Sequence, residues 1–180
     1  MRIISGQYKG KRINLPKHFN ARPTTDFAKE SFFNIINNYF EYEEINVLDL
    51  FGGTGSISYE FASRGCREID LVESSYRMYM FIKNVISSLN LTAINPVKSD
   101  VFRYIKYCSK TYDIIFADPP YNLEQFETLP HLIFEKKLLK DKGWFVLEHS
   151  KKQDFGLDPN YFEKRIYGGV NFSFFKFNKK

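Results

Sequence analysis

The sequence predicts an α/β fold: a seven-stranded, Rossmann-like sheet that is mostly parallel, ends in an antiparallel hairpin and follows a small N-terminal β-hairpin arm. From residue 46 onward, short apolar segments alternate with helical ones, which is typical of a parallel sheet covered on both faces. Near the end, two β-rich segments flank Gly168-Gly169, a pattern that favours an antiparallel hairpin. The first 15 residues alternate loosely around Gly6 and Gly10, as an extended arm or hairpin would.

The elements follow in order along the chain. Thr25 and Asp26 are good helix N-caps, and apolar residues at helical spacing after them predict a helix over residues 26–40. Further helices are predicted over residues 56–64, 75–89, 101–109 and 124–137. We expect two units, a basic arm over residues 1–25 and one domain over residues 26–180. The strands are predicted at Val47–Leu50, Ile69–Val72, Pro96–Ser99, Asp113–Ala117, Trp144–Glu148, Tyr161–Tyr167 and Val170–Phe177.

Composition excludes several classes of protein. The chain has 180 residues, of which 43% are hydrophobic, so it can form a sizeable core and is not disordered by composition. No apolar stretch approaches the ~18 residues of a membrane span, and the N-terminus lacks the apolar region of a signal peptide. Cys66 and Cys108 stand alone, without the spacing of a metal site or a disulfide framework. We therefore expect a cytoplasmic protein with reduced thiols, no metal and no membrane association.

Positive charge is concentrated at the N-terminus. The first 25 residues hold six basic residues and no acidic one, whereas the other 155 residues carry a net charge of −1. A basic arm on a near-neutral body predicts contact with a polyanion. The alternative is a solvated hairpin whose lysines serve solubility. The six basic residues are Arg2, Lys9, Lys11, Arg12, Lys17 and Arg22.

Four acidic residues follow four successive predicted strands. Asp49 begins the glycine-rich run that ends at Gly55, and Glu73, Asp100 and Asp118 come at the ends of the next strands. Open α/β sheets bind ligands along the edge where their strands end, so this pattern predicts a nucleoside site. The alternative is that aspartate often caps the helix after a strand, which would explain Asp100 and could explain Asp49.

The stretch Asp118-Pro119-Pro120-Tyr121 comes directly after the fourth strand. Prolines cannot donate to a sheet ladder and their φ angles are fixed. The strand must therefore end in a stiff corner that has free carbonyl acceptors and a flat ring beside it. Such a corner suits a planar group that carries an NH2, such as the edge of a nucleobase.

With these motifs, the chain resembles class I S-adenosylmethionine-dependent methyltransferases, and more narrowly the RsmD family of 16S ribosomal RNA guanine-N2 methyltransferases. The resemblance runs nearly from end to end. Two positions depart from the family pattern: Gly52 replaces a common alanine, and Phe27 stands where a basic residue is common. The matching blocks are Met1–Gly6, Tyr8-Lys9-Gly10, Arg22–Asp26 with Lys29-Glu30, Val47–Gly55, Asp118–Tyr121, Leu147–Ser150 and Tyr167-Gly168.

The resemblance implies a methyltransferase sheet and a role for each matched position. Asp49 and the loop backbone would hold the methionine part of S-adenosylmethionine, Glu73 the ribose hydroxyls, and Asp100 the adenine amino group. Asp118 and the Pro119 carbonyl would take the target amine, and Tyr121 would stack on the base. The implied cofactor-binding set is Asp49, Phe51, Gly53, Thr54, Gly55, Glu73, Asp100 and Val101, and the implied catalytic set is Asp118, Pro119, Pro120 and Tyr121.

The resemblance also implies the partner, 16S ribosomal RNA within an assembled small subunit or a late precursor. The basic arm would then contact RNA phosphates, although Arg22 could instead point into the cofactor cleft. A monomer is the simplest expectation. The predicted RNA-binding residues are Lys9, Lys11, Arg12, Lys17 and Arg22.

Three rival functions stay open at this point. An adenine-N6 DNA methyltransferase could use the same corner, but the chain has no spare segment for a target-recognition domain. A non-catalytic RNA-binding protein with a methyltransferase fold is disfavoured by the intact Asp118 and Glu73. An NAD-dependent oxidoreductase is disfavoured because Ser58 replaces the third glycine of the dinucleotide fingerprint.

Two further expectations concern histidine and aromatic residues. His149 ends the fifth strand, and we expect it to be a solvated strand-end histidine, with a place lining the cleft as the alternative. The aromatic stripe in the first helix is expected to belong to the core rather than to a stacking surface. That stripe consists of Phe32, Phe33, Tyr39 and Phe40.

Overall fold

A computed structural model describes residues 1–16, 25–120 and 122–178 of the chain. In these residues, seven strands form a single sheet. None of the helices in the described part of the chain has the length and apolar character that a membrane crossing needs. The strands are β1 (Asn46–Leu50), β2 (Glu68–Glu73), β3 (Ile94–Lys98), β4 (Tyr112–Ala117), β5 (Leu139–His149), β6 (Tyr161–Tyr167) and β7 (Val170–Phe175).

Within the described residues, five helices accompany the strands, together with two short 3₁₀ turns at Tyr42–Glu44 and Phe126–Thr128. All the predicted elements are present, so the alternation read from the sequence is confirmed. The helices are α1 (Asp26–Ile36), α2 (Ser56–Ser63), α3 (Tyr76–Leu89), α4 (Val101–Tyr107) and α5 (Leu129–Glu135).

The strand order across the sheet is β3-β2-β1-β4-β5-β7-β6. The first five strands run parallel, whereas β7 is antiparallel to both β5 and β6. The predicted mostly parallel sheet with a terminal antiparallel hairpin is therefore confirmed. Because the chain runs outward from β1 in both directions, the boundary between β1 and β4 is the topological switch point, where such sheets bind ligands.

Helices cover the sheet on both faces. One apolar core lies between the sheet and α1, α2 and α3, with Phe32, Phe61 and Phe116 among its buried rings. The second lies on the opposite face beneath α4 and α5 and includes Ile105 and Ile133. Burial on both faces explains why the parallel strands are nearly continuous apolar runs.

Three predicted boundaries were wrong by four or five residues, whereas the others differ by two residues or fewer. Helix α1 ends at Ile36 rather than at residue 40; the ring of Tyr39 instead lies 4.8 Å from that of Trp144 and stays 66% exposed. Helix α5 begins only at Leu129, with proline in its first turn, where the missing N–H costs no hydrogen bond. Strand β5 begins at Leu139 rather than at Trp144, because Leu139 pairs with Tyr112 across an irregular register. The polar residues 140–142 show no strand-like alternation, so the sequence pattern does not predict this extension.

The N-terminal arm is a short hairpin. Arg2 and Arg12 form an antiparallel bridge, the Ile3 N–H donates to the Lys11 carbonyl at 3.0 Å, and the Gly10 N–H donates to the Ile3 carbonyl at 2.9 Å. Ile3 and Ile13 are buried in the first core. The arm is therefore docked on the domain rather than free in solvent.

One buried carboxylate holds this hairpin against the domain. Glu60 in α2 accepts hydrogen bonds from the N–H groups of Ile4 and Ser5, both at 2.9 Å, and forms ion pairs with Arg64 and Lys29 at 3.0 and 3.8 Å. The Glu60 side chain has no exposed surface. A buried charge is tolerated only when it is fully paired and hydrogen-bonded, and these four contacts meet that requirement.

Lys29 extends the same network to the first residue of α2. Its ammonium group donates to the Arg2 carbonyl at 2.8 Å and to the Ser56 hydroxyl at 3.1 Å. Burial lowers the pKa of this ammonium group, and the Glu60 carboxylate opposes that shift. The arm, α1 and the start of α2 thus meet at one buried pair of charges.

Replacing Glu60 with alanine should therefore destabilise the protein strongly. We expect Glu60→Ala to lower the free energy of unfolding by about 3–5 kcal/mol, because Lys29 is left buried without its charge partner. Glu43→Ala is the matched control: Glu43 pairs with Arg67 on the surface, and its loss should cost less than about 0.5 kcal/mol. Urea unfolding measures both; equal effects would contradict the role of Glu60.

Candidate active site

The carboxyl ends of the parallel strands bring three carboxylates together. Asp49 lies in β1, Glu73 ends β2, and Asp118 follows β4 directly. Strand β1 lies between β2 and β4, so the three side chains converge around the switch point. The charges of Asp118 and Glu73 both raise the pKa of Asp49, as neighbouring carboxylates do.

The loop after β1, residues 51–55, has an unusual backbone. Phe51, Gly53 and Gly55 have positive φ angles of 62°, 55° and 80°, a region that glycine adopts at little cost and phenylalanine does not. The Gly52 N–H donates to the Val72 carbonyl of β2 at 2.8 Å, and the Gly55 N–H donates to the Gly52 carbonyl at 2.7 Å. The loop is thereby held tightly at the amino end of α2.

Gly55 has a second reason to be glycine. A Cβ atom at this position would lie 2.4 Å from Cζ of Tyr59 and 2.5 Å from its hydroxyl oxygen. The buried Tyr59 hydroxyl has no hydrogen-bond partner among the residues that the structure describes. Burial raises the pKa of this phenol further above its usual range, so it is a neutral group directly beneath the glycine loop.

Asp49 is buried, and the pKa of its carboxyl group is raised. Its Oδ2 accepts a 2.6 Å hydrogen bond from the Ser58 hydroxyl. The pKa of Asp49 is raised to about 7, mainly by burial and in smaller part by the nearby charges of Asp118 and Glu73, while the Ser58 hydrogen bond opposes the rise. Ser58, the residue that spoils the dinucleotide fingerprint, therefore has a positive role in holding this carboxylate.

Glu73 is held by the backbone on both sides. Its Oε2 accepts from the Gly53 N–H at 2.8 Å, and its Oε1 accepts from the Ser75 N–H at 2.6 Å. A carboxylate has about four lone-pair sites, so each oxygen keeps capacity for one further donor. The carboxylate is thus fixed in position and can still bind a pair of hydroxyls.

Asp118 opens the proline corner. Burial raises the pKa of its carboxyl group to about 7. Pro119 is buried and Pro120 is exposed, so the corner runs from the core to the surface within two residues. Tyr121 lies outside the described residues, and its predicted stacking on a base stays a prediction.

Asp100 caps the next helix. Its Oδ1 accepts from the Arg103 N–H at 2.9 Å, and Val101, the first residue of α4, is buried. The capping role anticipated as the alternative is therefore present. Asp100 is also exposed at the edge that carries Glu73, so its predicted contact with an adenine amino group stays a prediction.

The described basic residues of the arm lie on the surface. Lys9, Lys11 and Arg12 are all exposed, whereas Lys17 and Arg22 lie outside the described residues. The hairpin runs along α2: the Gln7 N–H donates to the carbonyl of Ser63, at the last residue of that helix. Its basic residues therefore extend from the carboxyl edge of the sheet along the side of the domain.

The expectation of a solvated His149 was wrong. Its side chain is completely buried, with Nδ1 at 2.7 Å from the Ser150 carbonyl and Nε2 at 2.8 Å from the Ser173 hydroxyl. Burial lowers the pKa of the imidazole. Phe155, 5.3 Å away between ring centroids, belongs to a later segment that covers this strand end and that the sequence pattern does not place.

The aromatic stripe of the first helix was placed correctly only in part. Phe32 and Phe33 are fully buried in the core, and Phe40 is partly buried there. Tyr39 is exposed, because α1 ends before it.

Four residues near the site were not predicted from the sequence to have a role: Lys29, Ser58, Tyr59 and Glu60. For Lys29 and Glu60 the available signal was a charged residue at the spacing of apolar ones in α1 and α2. Periodicity assigns such charged residues to the surface, so it gave no reason to expect them in the interior.

No group of three or more His, Cys, Asp or Glu side chains in residues 1–16, 25–120 and 122–178 is arranged to hold a metal ion. The carboxylates at the sheet edge are instead held by Ser58 and by backbone N–H groups.

The architecture is similar to that of solved structures. A hypothetical protein of Thermus thermophilus matches with a TM-score of 0.86 and 24% identity over 98% of this chain and 99% of its own. The yhhF protein of Escherichia coli matches with a TM-score of 0.84 and 23% identity, over 97% of this chain and 96% of its own. SMU.776, solved in complex with SAH, matches with a TM-score of 0.65 and 21% identity, over 84% of this chain and 50% of its own. This likeness defines a Rossmann-like methyltransferase fold.

Comparison of the sequences narrows that class. A family model described as "Conserved hypothetical protein 95" matches residues 1–176. The YlbH protein of Bacillus subtilis (strain 168) is 35% identical over 84% of each chain. Ribosomal RNA small subunit methyltransferase D of Buchnera aphidicola subsp. Acyrthosiphon pisum is 30% identical over 91% of this chain and 86% of its own. The chain belongs to the RsmD family, as the sequence motifs predicted.

Asp118→Asn should stabilise the isolated protein at high pH. A carboxyl group whose pKa is raised on folding stabilises the fold below its unfolded pKa near 4, and this contribution is lost as pH rises through about 7. We expect the asparagine variant to exceed wild type by about 1–3 kcal/mol at pH 8, with the difference vanishing near pH 4.

Thermal and urea unfolding across this pH range measures the difference. The exposed Asp141 provides the matched control, because Asp141→Asn should leave the pH dependence unchanged. A pH-independent difference for Asp118→Asn would show that its carboxyl group is not held in the protonated form by burial.

Proposed function

We propose that this protein transfers a methyl group from S-adenosylmethionine to the exocyclic N2 of a guanine in 16S ribosomal RNA. The observation that carries the proposal is the Asp118-Pro119 corner, where a half-buried carboxyl group lies beside the Asp49–Glu73 cluster at the switch point of the sheet. Membership of the RsmD family supports it, as does the name of the Buchnera relative, a small subunit rRNA methyltransferase.

The residues of the cluster fit S-adenosylmethionine, which supplies an activated methyl group on a positively charged sulfur. Three carboxylates converge and repel one another, an arrangement that a cationic ligand would stabilise. Asp49 and the backbone of residues 53–55 would hold the methionine part. Glu73, already oriented by two backbone N–H groups, would accept from the ribose hydroxyls, and Asp100 from the adenine amino group.

The amine that receives the methyl group is a weak nucleophile, because its lone pair is delocalised into the purine ring. The Asp118 carboxylate and the Pro119 carbonyl provide two acceptors at one rigid corner. Together they would bind both N–H groups of the amine and aim its lone pair out of the ring plane. This positioning is the main contribution of the protein to the rate.

Asp118 would also stabilise the positive charge that develops during the reaction and accept the proton that is released. Positive charge develops on the amine nitrogen as the new N–C bond forms, and a fixed carboxylate stabilises it. A carboxyl group with a pKa of about 7 can then accept the proton near neutral pH, where a carboxylate of ordinary pKa would be a poorer base.

The guanine must leave its stack to reach this corner. Tyr121, next to the two prolines in sequence, is proposed to stack on the flipped base, and such a contact contributes about 1–3 kcal/mol. The exposed Lys9, Lys11 and Arg12, together with Lys17 and Arg22, are proposed to bind the RNA backbone. The substrate would be an assembled small subunit or a late precursor.

Asp118→Ala should abolish methyl transfer while leaving the affinity for S-adenosylmethionine within a few-fold of wild type, because Asp118 is proposed to hold the amine rather than the cofactor. Transfer of labelled methyl to small ribosomal subunits measures the first, and calorimetry the second. Asp141→Ala, at an exposed residue, should retain full activity. Equal loss of turnover and cofactor affinity for Asp118→Ala would contradict its assigned role.

The same methyl-transfer assay tests which nucleic acid is the substrate and which atom is methylated. Mapping the labelled nucleotide should identify one guanine, methylated at N2, in the small-subunit RNA. Labelling of duplex DNA alone would instead support an adenine-N6 DNA methyltransferase, and absence of S-adenosylmethionine binding by the wild-type protein would support a non-catalytic RNA-binding role.

Reversing the charge of Lys9, Lys11 and Arg12 should weaken RNA binding and flatten its salt dependence, because each lost phosphate contact reduces the slope of log K against log salt by about one. The matched control reverses Lys106, Lys136 and Lys142, three exposed lysines in other parts of the domain. Filter binding at several salt concentrations measures both triple variants. If the arm variant and wild type had equal slopes of log K against log salt, the arm would be a solvated hairpin that does not bind RNA.

A further inference from the structure

Two aromatic rings at the edge of the molecule have no place in the proposed chemistry. Phe27, in the first turn of α1, is 65% exposed. Its ring meets that of Tyr167 edge to face, with centroids 6.1 Å apart and an interplanar angle of 80°. Most of the Phe27 ring is therefore in water, and a ligand that covered it would gain free energy by burying apolar surface.

The pair lies at the same edge of the sheet as Asp118. Tyr167 is the last residue of β6, and its partner Val170 comes one residue before Asn171, which pairs with His149 at the end of β5. Strand β6 is separated from β4 by β5 and β7. From the usual spacing of strands, Tyr167 is therefore about 14 Å from the strand that carries the proline corner.

The pair also lies on the same face of the sheet as the Asp118 side chain. The ring of Tyr167 is 6.1 Å from that of Phe172, which is 6.2 Å from that of Phe116. Because side chains alternate along a strand, Asp118, two positions after Phe116, extends to this face. Phe27, Tyr167 and Asp118 therefore border one surface.

The surroundings of the pair favour a polyanion. Asp26, the neighbour of Phe27, is already paired with Arg2 at 2.9 Å, and Arg2 lies opposite the exposed Arg12 in the hairpin. Gly168 and Gly169 beside Tyr167 are exposed and, without side chains, leave a ligand free to approach the ring. Aromatic rings next to basic side chains are how proteins bind single-stranded nucleic acid without reading its sequence.

We propose that Phe27 and Tyr167 form a stacking surface for an unpaired base that flanks the target nucleotide in a single-stranded segment of RNA. Phe27 provides the exposed ring, and Tyr167 fixes its orientation. The distance of about 14 Å from β4 places this base beside the flipped nucleotide rather than in its pocket. This inference rests on the proposed function and adds to it a second point of contact with the substrate.

The test compares Phe27→Ala, Phe27→Leu and Phe27→Tyr in the full chain, with small ribosomal subunits as substrate. The alanine and leucine variants should raise KM for the subunits about tenfold, with kcat and KM for S-adenosylmethionine unchanged, whereas tyrosine should behave like wild type. Tyr107→Ala removes an equally exposed ring, 71% accessible, from the end of α4, and should change nothing.

A second readout detects stacking itself. A short single-stranded RNA that contains 2-aminopurine should lose fluorescence on binding to wild type and to Phe27→Tyr, because a stacked 2-aminopurine is quenched. The quenching should be lost in Phe27→Ala and Phe27→Leu. A purely structural role for Phe27 would instead appear as a lower melting temperature with quenching retained.

The outcomes separate this inference from the proposed function. If wild type methylates the subunits and Phe27→Ala has the same KM and the same quenching, the stacking surface is overturned and the proposed function stands. If wild type methylates no RNA, the proposed function has failed. If Phe27→Leu matches wild type in both readouts, the aromatic ring is not needed and stacking on Phe27 is overturned.

Discussion

The Glu60 carboxylate is the contact on which the arrangement of this molecule depends. It binds two backbone N–H groups of the N-terminal hairpin, pairs with Lys29 of α1 and lies in α2 itself. Lys29 in turn binds the Ser56 hydroxyl, one residue after the glycine loop. A single buried, fully paired charge therefore sets the position of the basic arm relative to the site at the sheet edge.

The site itself is costly to build. Asp49 and Asp118 both have pKa values raised to about 7, mainly by burial. Near neutral pH, holding these carboxylates where they are poorly solvated therefore lowers the free energy of unfolding. Such a cost is typical of functional sites rather than of structural cores. A cationic ligand among these groups would recover part of it, which links the stability of the protein to what it binds.

Sequence patterns identified most of the fold because the relevant signals are local. Strand and helix periodicity, the Thr25 cap and the Gly168-Gly169 turn each act within a few residues, and the elements that they predict are present. The acids at the strand ends were also identified, because parallel strands must end at a common edge. The length of β5 and the burial of His149 were not, since both depend on segments that are distant in the chain.

The sequence by itself determined the class of fold, the edge of the sheet that carries the candidate site, and the family. Only the tertiary structure decided which polar groups are buried and what satisfies them. Glu60 meets its hairpin partners across 55 and 56 residues, and Phe27 meets Tyr167 from the other end of the chain. Periodicity predicts on which side of its own element a residue lies. The long-range packing of elements decides which groups that residue contacts. These contacts in turn set the charge states of buried groups, which rings are exposed, and which surface can bind a partner.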